Sequence, residues 1–259
     1  MDLGISGRTA IVCASSRGLG RACALALAKE GCRVVINGRD AAALDETASE
    51  ISRLSGSDVV GVAADVSTHE GQNALLAAAP AADILINNNG GPPRRDFREL
   101  DREAVLKGVT ANMVTPIELI QRVIDGMVER RFGRIVNITS ASVKMPLTGL
   151  DLSSGARAGL TAFLAGVARE VAAYNVTINN VLPGMFDTDR LRSGFPAEAK
   201  LLGVTAEEVA ERRRSHVPAK RFGDPDEFGR LCAFLSSAHA GYITGQNVLI
   251  DGGNFPAAF

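Results

Sequence analysis

Short apolar runs rich in valine and isoleucine recur along the chain, at residues 9–13, 33–37, 59–62, 84–86, 134–138, 176–179 and 247–250. Between them lie longer stretches whose apolar residues return with helical spacing. Runs of this kind are what strands buried on both faces require, and their alternation with helical stretches predicts repeated β-α-β units. The fold expected is α/β: one doubly wound sheet of about seven parallel strands with helices on both faces.

Helix boundaries are marked as well. A helix over 18–30 is closed by Gly31, a residue suited to the left-handed position just past a helix end. Ser67-x-x-Glu70 and Thr205-x-x-Glu208 read as capping boxes, and Asp224-Pro225-x-Glu227 combines a capping carboxylate, a first-turn proline and an acid. Two long alanine-rich stretches, 102–131 and 154–173, carry more apolar residues than one core-facing stripe needs, which predicts packing against further copies of the chain. Residues 186–217 break the alternation. With Gly194, Pro196, Gly203 and an amphipathic stretch, they read as a lid inserted into the domain.

At 259 residues and 46% hydrophobic content the chain can bury one sizeable core, so residues 1–259 are expected to form a single domain. Net charge is −1, from 28 basic and 29 acidic residues, and the longest basic block is Arg212-Arg213-Arg214, which reads as a solvated helix face. No electrostatic footprint for nucleic acid follows from that balance. The absence of an 18-residue apolar run and of an apolar leader argues against a membrane span or secretion, and a cytoplasmic protein is expected. Cys13, Cys23, Cys32 and Cys232 lack C-x-x-C spacing and nearby histidines, so buried free thiols are expected and no metal is called for.

Candidate chemistry starts at the end of the first run, where Cys13-Ala14-Ser15-Ser16-Arg17-Gly18-Leu19-Gly20 leads straight into a helix. Glycines there let the backbone approach a pyrophosphate at the positive end of that helix, although a strand-to-helix turn favours glycine in any case. Further segments add weight: Asp65-Val66, Asn87-Asn88-Asn89-Gly90, Asn112, Ile138-Thr139-Ser140, RAGLTAF at 157–163, Pro183-Gly184, Thr244-Gly245-Gln246 and Asp251-Gly252-Gly253. In order and spacing this set resembles the short-chain dehydrogenase/reductase family over nearly the whole chain. Arg17-Gly18-Leu19-Gly20, Arg221-Phe222-Gly223-Asp224-Pro225 and the C-terminal Thr-Gly-Gln turn resemble its 3-oxoacyl-acyl-carrier-protein reductase branch most.

The resemblance implies a Rossmann-like fold that holds a nicotinamide dinucleotide. Ser15, Ser16, Arg17, Gly18, Leu19 and Gly20 would cradle the pyrophosphate, Asp65 and Val66 would lie beside the adenine, and Asn88, Asn89, Gly90, Pro183 and Gly184 would flank the remainder. Cys13 and Ala14 replace the family's Thr and first Gly, and Asn89 replaces an alanine; Ala14 is expected at negative φ, where its methyl costs little. At the end of the second run, Asn37-Gly38-Arg39 offers no acid for a ribose 2′-hydroxyl, and Asp40 fits the next helix cap. Arg39 and Arg17 together offer two guanidinium groups to a 2′-phosphate, so NADP(H) is the expected cofactor.

At the expected reaction centre, Ser140-(x)12-Ser153-x-x-x-Arg157 stands where the family carries Ser-(x)12-Tyr-x-x-x-Lys. Ser140 is placed to hydrogen-bond a carbonyl, with Asn112 nearby. A serine is a far weaker acid than a phenol, and a guanidinium is too basic to relay protons although it can bond ribose hydroxyls. Ser153 reads as the N-cap of the helix over 154–173, and Arg157, one turn on, as facing the nicotinamide ribose. Lys144, Asp151 or water remain as proton donors, and Lys144 is preferred because apolar surroundings between Val143 and Met145 would make its ammonium a better acid. Tyr174 and Tyr242 fall outside the expected pocket, His69 and His239 lack partners, and His216 is notable only for its place near the lid. Phe186, Leu191 and Phe195 are expected to give the pocket an apolar wall. The reaction implied is carbonyl/alcohol interconversion with NADP(H) on a small molecule, an acyl thioester among the candidates, by a homotetramer. Two alternatives stay open: a non-redox dehydration or retro-aldol enzyme on the same fold, and a catalytically silent NADP(H)-binding protein.

Overall fold

A computed structural model of the chain describes residues 1–258. In chain order the elements are β1 (Thr9–Val12), α1 (Gly18–Lys29), β2 (Arg33–Gly38), α2 (Ala41–Ser55), β3 (Val59–Ala63), α3 (His69–Ala78), β4 (Ile84–Asn87), α4 (Arg102–Val109), α5 (Thr115–Glu129) and β5 (Gly133–Ile138). Then follow α6 (Asp151–Val171), β6 (Val176–Pro183), α7 (Asp189–Arg192), α8 (Phe195–Leu202), α9 (Ala206–His216), α10 (Pro225–Leu235) and β7 (Asn247–Ile250). All seven strands join one parallel sheet in the order β3-β2-β1-β4-β5-β6-β7. Winding reverses between β1 and β4, which opens a crevice beyond their carboxyl ends, the place where such sheets receive ligands.

Because successive strand residues face opposite sides, the inner strands feed two cores. Val12, Val34, Ile36, Ile86, Val136 and Val181 pack with Cys23 and Leu27 of α1, Leu44 of α2 and Phe228 of α10. On the opposite face Ile11, Val35, Leu85, Ile135 and Ile178 pack with Leu75 of α3, Leu119 and Met127 of α5 and Leu160 of α6. Burial on both faces explains why these strands read as unbroken apolar runs. The four cysteines are free and buried within these layers, and burial pushes the thiols of Cys13 and Cys32 up to about 12.

Several boundaries differ from the sequence reading for local reasons. β6 runs on to Pro183 because residues 180–183 pair with β7. The single helix expected over 102–131 is divided into α4 and α5 by a π-helical turn, Thr110–Val114, which holds Asn112 in the interior. Helix α6 starts at Asp151, after Leu150, which makes no side-chain cap; Ser153 therefore sits inside the first turn and is not the N-cap. Thr68, not Ser67, caps α3, since the Ser67 hydroxyl is taken by Asp65. The boxes at Thr205 and Asp224 form as expected.

The segment over 186–217 folds into α7, α8 and α9 around a small core of its own, Phe195, Ala199, Val209 and Ala210. Phe195 stacks on Phe222 at 6.1 Å, and Arg213 covers the Phe195 ring while bonding Glu198. Arg214 pairs with Glu207 and Glu211, so this part of the arginine triplet belongs to a solvated, ion-paired helix face. Among the described residues, no helix is long and apolar enough to cross a membrane.

Candidate active site

The crevice is entered from β1 through a glycine-rich loop. Arg17, extended at φ −163°, precedes α1 and gives it no side-chain cap, so the first-turn N–H groups and the positive end of the helix are left for an anion. A Cβ on Gly20 would collide with the carbonyl oxygen of Ala14, which forces glycine there. Gly90, on the facing loop, would place a Cβ in open space, so nothing in the protein fills the volume above it. Ala14 departs from expectation: its φ is +45°, not negative, so this loop holds an alanine in the left-handed region.

Polar side chains behind the loop fix its shape. Ser15 donates its hydroxyl to the Val12 carbonyl at 2.6 Å and accepts the Asn37 N–H at 3.0 Å. Asn37 donates to the carbonyls of Val62 and Ala64, both at 3.0 Å, and Asn88 donates to the Ala14 carbonyl at 3.1 Å. The side chains of Ser15, Asn37 and Asn88 thus make internal bonds that hold the shape of the loop. Val66 is buried, its side chain packed in the core with Leu75 and Leu85.

At the tip of β2, Arg39 and Arg17 are both exposed, and neither forms an ion pair among the described residues. Asp40 is occupied as the α2 cap, accepting from the Ala43 N–H at 3.2 Å. Asp65 accepts the hydroxyl of Ser67 at 2.7 Å and its N–H at 2.9 Å; these bonds, helped by Arg39, hold its carboxyl below the usual range. Two unpaired guanidinium groups, an uncapped helix end and open space over Gly90 fit a dinucleotide with an additional phosphate.

Deeper in the crevice stand Ser140, Ser153 and Arg157. Ser140, at the end of β5, accepts the Ser142 N–H at 3.1 Å, which spends a lone pair and leaves its hydroxyl proton free. Arg157 is 8% exposed and has no carboxylate partner among the described residues. Its Nε donates to Ser153 Oγ at 3.3 Å, Nη1 to the Ile138 carbonyl at 2.6 Å and Nη2 to the Asn89 carbonyl at 3.1 Å. Burial, with Arg190 close by, pushes this guanidinium down to about 10, so it remains a cation at neutral pH. Beneath it Asn87, Asn112, Asn137, Ile138 and Leu160 line a cavity of ≈ 10 Å³, about the room one water needs. The Oδ1 atoms of Asn87 and Asn112 are buried there without a protein partner.

The sequence reading missed two features. Asn87 donates to Asn137, Asn137 to Asn180 and Asn180 to Asn247, a ladder across four adjacent strands. Its only signal is an asparagine in or beside each of these apolar runs, at the start of the last one. Arg190, on α7, donates Nη2 to the Gly91 carbonyl at 3.1 Å and so bridges the lid and the Asn88–Asn89–Gly90 loop; no motif marks it.

Other candidates are placed elsewhere. Lys144 is exposed, its Nζ 5.6 Å from the centre of the Phe255 ring, so the apolar surroundings expected for it are absent. Asp151 is exposed on the first turn of α6. His216 ends α9 with Nδ1 2.6 Å from the Arg212 carbonyl, and Tyr174 and Tyr242 are exposed. Phe186 meets Phe228 edge-on at 5.3 Å in the main core, and Phe195 and Leu191 serve the lid's own core, so these three do not form the apolar wall expected.

Comparison with known proteins gives a family model described as enoyl-(acyl carrier protein) reductase, matched over residues 13–254. The chain is 32% identical to the 3-oxoacyl-acyl-carrier-protein reductase FabG of Aquifex aeolicus, over 98% of this chain and 100% of that protein. It is 32% identical to the acetoacetyl-CoA reductase of Cupriavidus necator, over 95% and 97%. The L-sorbose reductase of Gluconobacter frateurii, solved with NADPH and L-sorbose, superimposes with a TM-score of 0.94 at 30% identity, covering 100% of both chains.

Proposed function

The chain belongs to the short-chain dehydrogenase/reductase family, and from that membership we propose that it is an NADP(H)-dependent oxidoreductase interconverting a carbonyl and an alcohol. The observation that carries the reading is the placement of two hydroxyls and one buried cation, Ser140, Ser153 and Arg157, at the carboxyl edge of the sheet beside an anion-ready glycine-rich loop. NADPH, when bound, supplies the hydride. Gly18, Leu19 and Gly20 would hold its pyrophosphate through their N–H groups, Arg17 and Arg39 its 2′-phosphate, and Ser16, Gly90, Pro183 and Gly184 would lie along it.

Ser140 donates its free hydroxyl proton to the substrate carbonyl oxygen. Ser153 accepts from Arg157 Nε, which draws electron density from Oγ and makes its own hydroxyl a better donor to the same oxygen. As that oxygen gains negative charge, the adjacent guanidinium stabilises it electrostatically, and the resulting alkoxide is basic enough to take its proton from water, which leaves hydroxide to the solvent. Asn112 keeps the floor of the site polar through its unpaired Oδ1. Such a site needs no phenol. The FabG and acetoacetyl-CoA reductase relatives favour an oxo substrate of the 3-oxoacyl type, and the exposed Val105, Leu106, Val114 and Phe163 on α4, α6 and the π turn favour assembly into a tetramer.

Calorimetry tests the cofactor. NADPH should bind more tightly than NADH by about 1–3 kcal/mol, and Arg39→Asp should erase the difference. Equal affinities in the unaltered protein would remove the assignment. The missing phenol favours one second reading, a silent NADP(H)-binding protein: it takes over if NADPH binds but no 3-oxoacyl thioester, ketone or oxo acid causes loss of its absorbance.

A further inference from the structure

Gly91 marks a point where three donors converge. A Cβ built on it would lie 3.2 Å from Arg190 Nη2, 3.5 Å from Ser153 Oγ and 3.7 Å from Arg157 Nη2. The two guanidiniums come from opposite sides, Arg157 from the floor on α6 and Arg190 from the lid on α7. Neither forms an ion pair among the described residues. The carboxylates carried by the surrounding segments are Asp96, Asp151, Asp187 and Asp189: Asp96 bonds Arg98, Asp187 and Asp189 bond Arg192, and Asp151 forms no ion pair among the described residues.

Two cations held near one another with no acid paired to them repel, and although Arg190 is exposed to solvent, the burial of Arg157 keeps that repulsion from being fully screened. Arg157 has five N–H donors and uses three, so two are uncommitted. The comparison with the other buried arginine is instructive. Arg134 spends four donors on the carbonyls of Ser237, Gly133 and Asn175 and on Asn175 Oδ1, at the opposite end of the sheet from the crevice, and serves structure alone. The loop after Gly91 adds positive charge, although the segments around it also carry the exposed Asp96, Asp151, Asp187 and Asp189. Arg94 and Arg95 are exposed on the loop after Gly91, which is fastened to the loop bearing Lys144 through Arg95 N–H to the Gly149 carbonyl at 3.1 Å.

We infer that the substrate is an oxo acid, or the corresponding hydroxy acid in reverse, whose carboxylate is received by Arg190 and Arg157 beside Gly91 while its carbonyl lies against Ser140 and Ser153. This rests on the reading of the crevice as an NADP(H) and carbonyl site, and within it an ionised oxo acid takes the place of the 3-oxoacyl thioester, which has no free carboxylate to offer the two guanidiniums. A planar carboxylate suits a guanidinium fork, and an anion shared by two guanidiniums removes their repulsion. Arg190 becomes a specificity residue: by exchanging its bond to the Gly91 carbonyl for one to the substrate, it ties the lid to the bound acid.

The test uses NADP⁺-saturated protein, an unreactive combination with a ketone, and titrates 3-oxohexanoate and its methyl ester by calorimetry. The unaltered protein should bind the acid at least tenfold more tightly than the ester. Arg190→Gln should bring the two within about twofold, and Arg190→Lys should keep part of the difference, while NADP⁺ affinity changes by less than about twofold in both. Equal binding of acid and ester, or binding of neither by protein that holds NADP⁺, overturns the inference. So does an Arg190→Gln variant that loses NADP⁺ affinity tenfold with the acid-to-ester ratio intact, since the anion at Arg190 is then the cofactor's pyrophosphate. Failure of NADP⁺ to bind the unaltered protein overturns the underlying reading instead.

Discussion

Replacing Ala14 by glycine should make this protein more stable, although the side chain removed is a methyl at the edge of the core. At φ +45° the Cβ of Ala14 crowds its own carbonyl, a conformation that costs an L-residue about 1–2 kcal/mol and glycine almost nothing. Relaxation to negative φ is blocked because the carbonyl is held by Asn88 Nδ2 at 3.1 Å and lies against the Cα of Gly20. Glycine, however, loses more backbone entropy on folding, about 0.5–1 kcal/mol. The difference is a net gain of roughly 0.5–1 kcal/mol, equivalent to a rise in Tm of about 1–4 °C for a chain of this size. Urea unfolding at fixed protein concentration gives the sign directly, because any oligomer makes the midpoint concentration-dependent. The loop conformation does not change, so NADPH affinity should stay within about threefold. A lower urea midpoint for Ala14→Gly would refute the reasoning, for it would mean that the methyl contributes packing worth more than the strain it brings.

Turnover should separate the hydroxyls from the lysine: Ser140→Ala and Ser153→Ala should each lower kcat by roughly 10- to 100-fold in steady-state assays, whereas Lys144→Ala should change it by less than about threefold. A loss of about 10²-fold in Lys144→Ala with Ser153→Ala unaffected would return the proton donor to Lys144. Alkaline stability should follow the buried thiols. Below pH 9 Cys13 and Cys32 are protonated in both states; between 9 and 12 the unfolded chain loses protons that the folded chain keeps, so stability should fall with rising pH, and less steeply in Cys13→Ala/Cys32→Ala, as measured by urea midpoints.

The sheet was legible because its five inner strands, β1, β2, β4, β5 and β6, are buried and leave apolar runs, while the edge strands β3 and β7 are only partly buried; the β6 run was ended at Asn179, although Asn180 beyond it is in fact buried and bonded. The glycine-rich loop and the residues lining the crevice were legible by spacing, but their division of labour was not. Ser15, Asn37 and Asn88 look like ligand contacts in one dimension, and that they clamp the loop shows only in three, because a side chain's direction is fixed by the pleat and by its partner, neither of which the order of residues states. Ser153 shows the same limit: a serine before an apolar helical stretch satisfies the capping pattern, yet Arg157 one turn on draws its hydroxyl inward and the helix begins earlier, at Asp151 and not at residue 154. The π turn that positions Asn112 has no sequence signature. Arg190 was unreadable because its importance depends on a contact 99 residues away, with Gly91.

On the proposed reading a hydroxyl and a guanidinium stand where the family resemblance implies a phenol and an ammonium, and magnitudes allow the site to keep its catalysis. A general acid contributes roughly 10²–10⁴ in rate, about 3–5 kcal/mol. A unit cation about 4–6 Å from a forming oxyanion contributes roughly 3–4 kcal/mol at an effective dielectric of about 20. These are the same size. The exchange works only if the cation stays charged, stays in place and is not neutralised by an acid of the protein's own. Arg157 meets all three conditions: burial lowers it only to about 10, two backbone carbonyls and Ser153 hold it, and no carboxylate among the described residues pairs with it. A lysine in that position could form fewer bonds to fixed carbonyls and would lose its charge more readily on burial. Once the phenol is absent, arginine is the residue whose chemistry keeps the site able to stabilise an oxyanion, and the same permanent charge makes an anionic substrate welcome.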